Sequence, residues 1–267
     1  MNLANRVTTL LERRAALRLT RAAAALLHLE AGFRAAFPEE SRSQRSDQRL
    51  DLERNVRDCL LDPLLRAHLP NRLNSRLEAL LAPAPSERAA TTSISRATLA
   101  RALLHAAIEL CRDVGAPHVV SGQLDWMRGD TSAADRSFAI GCERASQRRS
   151  AAHALLHRGI LHADDGRVDD ALRLLQRAAA LDPSQLAAHW TSAVYATALR
   201  RPVLADFHLR AALRVGSPRD LRARGLVLER QFLALAQRGI GAAAQARHSA
   251  LQLLTQTSAA LASGVVA

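Results

Sequence analysis

The spacing of small and apolar residues repeats along the chain, and this repetition restricts the possible folds more than any other feature. Between residues 152 and 185, six positions follow one another at offsets of 7, 5, 4, 3 and 5: Gly159, Gly166, Ala171, Leu175, Ala178 and Pro183. Ala171 and Ala178 lie two helical turns apart, so they share one stripe where a second helix can approach closely. Gly166 permits a tight turn before that helix. The segment therefore predicts two packed helices joined by a short turn.

The same spacing recurs less completely on both sides of this segment. Upstream, residues 115–148 repeat the first four offsets at Gly122, Gly129, Ala134, Phe138 and Gly141. This unit needs an insertion of three residues before the next unit begins. Downstream, residues 186–219 keep four positions in frame: Ala193, Ala205, Leu209 and Ala212. Arg200 occupies the turn position of this unit, and Pro218 comes one place late. A fixed period of this kind indicates an array of similar structural units.

This pattern resembles the tetratricopeptide repeat (TPR), a 34-residue helix–turn–helix unit. The match is best at residues 152–185 and degenerate at 115–148 and 186–219. The resemblance implies an all-α superhelix, an α-solenoid, because one such unit cannot bury its apolar face alone and must stack on its neighbours. It also implies a concave groove that the first helix of each unit lines.

The composition agrees with an all-α fold. Ala, Leu and Arg contribute 54, 45 and 37 of the 267 residues, whereas glycine contributes 12 and aromatic residues only 3%. The three abundant residues favour helix, and the shortage of aromatic residues disfavours a β-sandwich or barrel. We therefore expect more than about 60% helix, no sheet, and turns near Gly129, Gly166 and Arg200.

The chain divides into five parts. Apolar residues recur at helical spacing before Pro38, in one long helix or in two that break near Gly32. Near the other end, residues 220–263 predict a pair of long helices around residues 239–241. The parts are a long amphipathic helix at 1–37, a polar linker at 38–49, a short helical region at 50–81, a linker rich in Pro, Ala, Ser and Thr at 82–95, and the TPR-like array with C-terminal capping helices at 96–267.

The resemblance places both tryptophans of the chain on the wall of the concave groove. In the family's frame the lining positions are Val119, Gln123, Trp126, Met127, Leu156, Ile160, Ala163, Trp190, Val194 and Thr197. They are mostly apolar and depart from the Lys, Asn and Arg with which some TPR proteins clamp a C-terminal carboxylate. The expected partner is an apolar helix or peptide, which makes the chain a non-catalytic scaffold. Alternatively, the chain's own flanking helices, such as the one at 1–37, cover the groove.

Basic residues are concentrated in the last third of the chain. The net charge is +12, all 37 basic residues are arginine, and residues 186–267 contain 10 arginines against 3 acidic residues. Such an excess favours an acidic partner. A basic regulator that binds nucleic acid is therefore the leading alternative, with contacts from Arg200, Arg201, Arg210, Arg214, Arg219, Arg222 and Arg224.

No motif in the sequence predicts catalysis, a cofactor or a metal site. The absence of lysine excludes Schiff-base, Walker A and protein-kinase lysine chemistry. His153 and His157 have metal-ligand spacing, with His162 nearby, but Ala154 replaces the glutamate of the zinc-protease motif. An enzyme with an unrecognised site in the N-terminal region stays open as a third possibility.

Cysteine usage favours a reducing cytoplasm. Cys59, Cys111 and Cys142 are odd in number and widely spaced, and no C-x-x-C pair occurs. Glu12 interrupts the basic start of the chain, and no cleavage-like end of a secretory signal follows. No run reaches the roughly 18 apolar residues of a membrane span. We therefore expect a cytoplasmic protein without membrane contact.

Overall fold

The computed structural model describes residues 3–28, 96–237, 239 and 241–263. Ten α-helices hold 86% of these residues and no strand occurs among them, which confirms the all-α prediction. None of the helices in these ranges is both long and apolar enough to cross a lipid bilayer. The helices are α1 (Leu3–His28), α2 (Arg96–Leu110), α3 (Ala116–Met127), α4 (Thr131–Glu143), α5 (Arg148–Asp164), α6 (Val168–Leu181), α7 (Leu186–Ala198), α8 (Pro202–Val215), α9 (Pro218–Gln237) and α10 (Gly241–Ala262).

Local capping signals set where several helices begin. The Asp130 carboxylate accepts a hydrogen bond of 2.9 Å from the Ala133 N–H and so satisfies a free donor at the start of α4. Helices α8 and α9 each begin with proline, whose fixed φ suits the first turn and which has no N–H to leave unpaired. Ser217 and Asp220 exchange side-chain and backbone hydrogen bonds at the start of α9.

Helix hairpins occupy the segment of the predicted repeats, as α3–α4, α5–α6 and α7–α8. Gly129 and Gly166, in the first two turns, each have a φ of 82°, and Arg200, in the third, has a φ of 55°. This left-handed backbone costs glycine little and strains arginine. The turns predicted at these three residues are confirmed. A further hairpin, α9–α10, turns at Gly239 with a φ of 83° and confirms the helix pair predicted for residues 220–263.

Glycine lies where the helices of a hairpin cross. A Cβ atom added at Gly159 would lie 2.9 Å from Cγ of Leu175, and one added at Gly122 would lie 2.7 Å from the Phe138 ring. These distances leave no room for a methyl group. Glycine therefore sets how closely α5 approaches α6 and α3 approaches α4.

Helices α1 to α4 belong to one compact unit. An exposed ion pair joins Arg13 Nη2 to Asp113 Oδ2 at 2.8 Å. Helix α1 packs along α2, contacts α3, and buries a stripe of small and apolar side chains: Ala15, Ala16, Leu19, Ala22, Ala23, Leu26 and Leu27. The predicted continuation of α1 to residue 37 lies outside the described residues, as do the parts at 38–49, 50–81 and 82–95, where an unrecognised enzyme site stays a possibility.

Helices α5 to α10 belong to a second compact unit. Helix α7 packs against α6, α8 and α10, while α5 packs against α6, and α9 packs against α10. Alanine and leucine dominate the core, with Trp190, Tyr195 and Phe232 as larger side chains. Helix α8 packs mainly on α7 and has little contact with α9 or α10. One face of α8 consequently stays open to solvent.

Candidate interaction surfaces

Most of the predicted groove positions in the second unit are buried. Trp190 is 1% exposed. Among the others, Leu156, Ala163 and Val194 are buried, whereas Ile160 and Thr197 are partly exposed. The buried side chains belong to the core of this unit, so they are not accessible to a partner in this structure.

Arg247 of α10 contributes to this burial. Its side chain is 1% exposed, and its Nη1 donates a hydrogen bond to the carbonyl oxygen of Ala163. Its guanidinium carbon lies 5.9 Å from the centre of the Tyr195 ring and 5.4 Å from the centre of the Phe232 ring. Aromatic faces attract a cation within about 6 Å. Helix α10 therefore covers the side of α7 on which Tyr195 lies, and Arg247 reaches from it to Ala163 in the last turn of α5.

Arg247 is a buried residue that was not predicted from the sequence, although α10 contains a signal for it. The buried residues of this helix include positions 244, 247, 251, 254 and 258, so Arg247 falls within an otherwise small and mostly apolar stripe. Its Nε and Nη2 atoms are buried and have no hydrogen-bond partner within the described ranges. Removing a guanidinium group from water without pairing all of its donors costs free energy.

The predicted groove positions of the first unit lie on α3 and are less completely buried. Val119 and Gln123 are buried, while Trp126 and Met127 are partly exposed. Helix α1 contacts α3, the helix that carries all four side chains. The N-terminal helix of the chain thus packs against the helix that was expected to line a groove.

The seven arginines of the nucleic-acid hypothesis lie in the α7–α8 turn, on α8 and in the first two turns of α9. All are exposed except Arg224, which is partly exposed. Arg201 Nη2 lies 2.7 Å from Asp169 Oδ1, and Arg210 Nε lies 2.8 Å from Asp206 Oδ2. Hydrogen bonding to Asp206 raises the pKa of Arg210. These ion pairs neutralise part of the charge of the basic surface.

An apolar surface that was not predicted from the sequence lies on α8, between arginines of this set. Val203 is 85% exposed and Phe207 is 58% exposed. Together with Arg201, Pro202 and Leu204 they line a shallow depression of about 470 Å³. Exposed apolar side chains that lie together with polar groups around them are a common feature of interaction sites. We refer to the surface around Val203 and Phe207 as the α8 face.

The histidines of α5 form a pair. The Nε2 atoms of His153 and His157 lie 3.2 Å apart, and burial lowers the pKa of His157 well below its usual value. His162 is buried. In the described part of the chain, no three metal-ligating side chains come together. A hydrogen bond between two neutral imidazoles accounts for the pair.

Cys111 has an environment that disfavours its thiolate. Its Sγ donates a hydrogen bond of 3.0 Å to Asp113 Oδ1, and burial raises the pKa of the thiol. The thiolate is the nucleophilic form of cysteine, so this environment lowers its reactivity. Cys142 is partly buried, and Cys59 lies outside the described residues.

A second histidine pair is buried between α7 and α8. His189 Nε2 lies 3.1 Å from the carbonyl oxygen of Pro183, and His189 Nδ1 lies 3.2 Å from His208 Nδ1. Donation from Nε2 to that carbonyl leaves Nδ1 of His189 as an acceptor, so His208 donates from its own Nδ1. His208 Nε2 is buried and has no partner among the residues the structure describes. Burial, with a smaller effect of His189, lowers the pKa of His208 to about 4.

We expect acid to destabilise the second unit through His208. In the unfolded chain its pKa is near 6.5, so between pH 6.5 and 4 the unfolded state binds a proton that the folded state does not. Stability therefore falls as the pH is lowered through this window, and His208 contributes about 2 kcal/mol to the loss at pH 5. Urea unfolding followed by circular dichroism at pH 7 and pH 5 measures the loss. Between pH 7 and pH 5 the His208→Gln protein should lose about 2 kcal/mol less free energy of unfolding than the wild type. An equal loss in the two proteins would contradict the role of His208 in acid destabilisation.

The α8 face and its arginines offer apolar contact and charge-assisted hydrogen bonds, which are the interactions of a binding surface. Comparison of the sequence with models of known protein families and with curated proteins gives no match. The geometry of the described surfaces is therefore the guide to what the chain does.

Proposed function

We propose that the chain is a non-catalytic, TPR-like protein–protein interaction module that binds its partner on the α8 face. Consecutive helix hairpins at the repeat spacing, and glycine at the crossings of α3 with α4 and of α5 with α6, support the TPR-like superhelix. Arrays of stacked hairpins present extended surfaces to other proteins. The cytoplasmic location expected from the cysteines agrees with such a role.

The observation that carries this proposal is the exposure of Val203 and Phe207. Both side chains project from α8 and are not needed for its packing on α7, so they are available to lose water on contact with a partner. An aromatic side chain in such a position is a typical anchor of an interface. By contrast, Trp190 and Val194 of the expected groove are covered by the chain itself.

Site-specific photo-crosslinking in native extract tests the proposal on the full chain. A photoreactive phenylalanine derivative replaces Phe207 in one variant and Leu253, an exposed residue of α10, in a matched control. We expect protein adducts from position 207 and none from position 253. These adducts should persist after nuclease treatment, and Val203→Ser should lower their yield. Equal adducts at the two positions, or none at position 207, would contradict binding at the α8 face.

A nucleic-acid-binding regulator is the second candidate, favoured by the exposure of six of its seven predicted arginines. Phosphate contacts release counterions, so affinity should fall steeply with salt. Tyr195 and Phe232 are buried, which leaves Phe207 as an exposed ring near these arginines for base stacking. Fluorescence anisotropy with mixed-sequence DNA and RNA at about 50 mM salt tests this candidate, and absence of binding there excludes it.

A further inference from the structure

We propose that the partner of the α8 face is an acidic amphipathic helix, with two large apolar side chains one turn apart and carboxylates toward both of its ends. This inference rests on the proposed function and adds the chemistry of the partner. Val203, Phe207, Arg210 and Arg214 fall at positions i, i+4, i+7 and i+11, so they form one stripe along α8. All four side chains are exposed.

The stripe is separate from the face by which α8 holds its place. Helix α8 packs on α7 through a stripe of its own buried residues. These are Ala205, His208, Leu209 and Ala212. A partner can therefore bind the outer stripe while the hairpin stays intact. Changes to the outer stripe should correspondingly affect binding far more than folding.

Guanidinium groups lie at both ends of the apolar pair. Arg200 and Arg201 precede α8, while Arg210 and Arg214 follow Phe207 along the helix. Within the described ranges, Arg200 and Arg214 take part in no ion pair. Arg201 is paired with Asp169, but both side chains are more than half exposed, and a guanidinium group has five N–H donors. Carboxylates of a partner can therefore form charge-assisted hydrogen bonds at both ends.

The dimensions of the stripe suit a helix. At a rise of about 1.5 Å per residue, Arg201 and Arg214 are about 20 Å apart along the axis, which is nearly four helical turns. Val203 and Phe207 are one turn apart, the spacing at which apolar residues i and i+4 of a second helix would face them. Two helices that cross at a small angle stay in contact over several turns. Acidic residues one to two turns from the apolar pair would then reach the arginines.

Other occupants fit this pattern less well. Two copies of the chain that paired through the same stripe would place arginines opposite arginines, and such like charges repel. A helix that lies on an anionic membrane carries its charges on the side opposite its apolar face, whereas here Val203 and Phe207 share one stripe with Arg210 and Arg214. Nucleic acid would leave the highly exposed Val203 without a complementary group.

A pair of synthetic peptides tests the partner chemistry with the full chain. The first is a capped helical peptide of about 16 residues with Leu and Phe four apart at its centre and Glu toward both ends. The second has Lys in place of every Glu. By fluorescence anisotropy at about 50 mM salt we expect the acidic peptide to bind and the basic peptide to bind at least roughly tenfold more weakly.

Variants of the chain assign the binding to the stripe. The double substitution Val203→Ser and Phe207→Ser should lower the affinity for the acidic peptide by about tenfold or more. Arg210→Glu with Arg214→Glu should reverse the preference, so that the basic peptide binds more tightly than the acidic one. Arg230→Glu, at an exposed arginine of α9, is the matched control and should keep the wild-type preference. Circular dichroism melts establish that each variant is folded.

Several outcomes would overturn this inference. The acidic helix is rejected if the two peptides bind equally, or if neither binds while position 207 still crosslinks to a protein. Either result leaves the proposed function unaffected. If neither peptide binds and position 207 gives no crosslinks, both the acidic-helix partner and the proposed function are rejected. A dimer in light scattering that Phe207→Ser dissociates would identify a second copy as the occupant. Phe207-dependent binding to vesicles of anionic lipid would identify a membrane surface instead.

Discussion

Replacement of Trp190 with alanine is expected to lower the free energy of unfolding by about 3–5 kcal/mol. The indole is 1% exposed in the core of the second unit, so its removal leaves a cavity that the surrounding side chains fill only in part. Urea unfolding followed by far-ultraviolet circular dichroism measures the change. Hydrogen–deuterium exchange should locate the loss of protection in helices α5 to α10.

Phe207→Ala is the matched control for this experiment. Phe207 is also aromatic and lies in the same hairpin, but it is exposed, so its removal should change the stability by no more than about 0.5 kcal/mol. A Trp190→Ala protein that is as stable as the wild type but has lost a binding partner would contradict the burial of the indole. It would place Trp190 on a groove wall, as the TPR resemblance implies.

Replacement of Arg247 with methionine is expected to raise the free energy of unfolding by about 1–4 kcal/mol. The substitution removes a buried charge and two nitrogen atoms that lack partners among the described residues. The Ala163 carbonyl oxygen stays paired because it also accepts a hydrogen bond of 3.0 Å from the Gly166 N–H. Methionine fills a similar volume and makes favourable contacts with aromatic rings such as Tyr195 and Phe232.

Two further variants show whether the charge is responsible. Arg247→Ala removes the charge and also the packing on both rings, so it should be clearly less stable than Arg247→Met. Arg230→Met, at an exposed site on α9, should change the stability by no more than about 0.5 kcal/mol. A less stable Arg247→Met protein would mean that the hydrogen bond to Ala163 and the ring contacts outweigh the cost of burial.

The hairpins could be predicted because their signals are local. Gly129 and Gly166 mark turns through a backbone conformation that other residues adopt with strain. Gly159 marks a helix crossing because Leu175 occupies the space of a larger side chain. The turn at Arg200 is different, since an arginine alone does not predict a left-handed φ. Its position followed from the frame of the repeat.

The surfaces of the second unit could not be predicted in the same way, because they depend on residues far apart in the sequence. Arg247 and Ala163 are 84 residues apart, and an arginine ordinarily predicts an exposed position. On α8, Val203 and Phe207 have the helical spacing that usually predicts a buried stripe. In the structure, the neighbouring stripe of α8, which contains Leu209, is the one that packs on α7. Tertiary packing therefore decides which stripe of α8 faces solvent.

The position of α10 on α7 bears on how the second unit forms during translation. Arg247 leaves the ribosome 84 residues after Ala163, its partner on α5. At about 5–20 residues per second, the Tyr195 side of α7 waits several seconds before its cover is synthesised. The hairpins α5–α6 and α7–α8 can form early from local contacts, whereas the core they share with α10 closes last. In that interval the Tyr195 side of α7 lacks the cover that α10 provides in the folded unit.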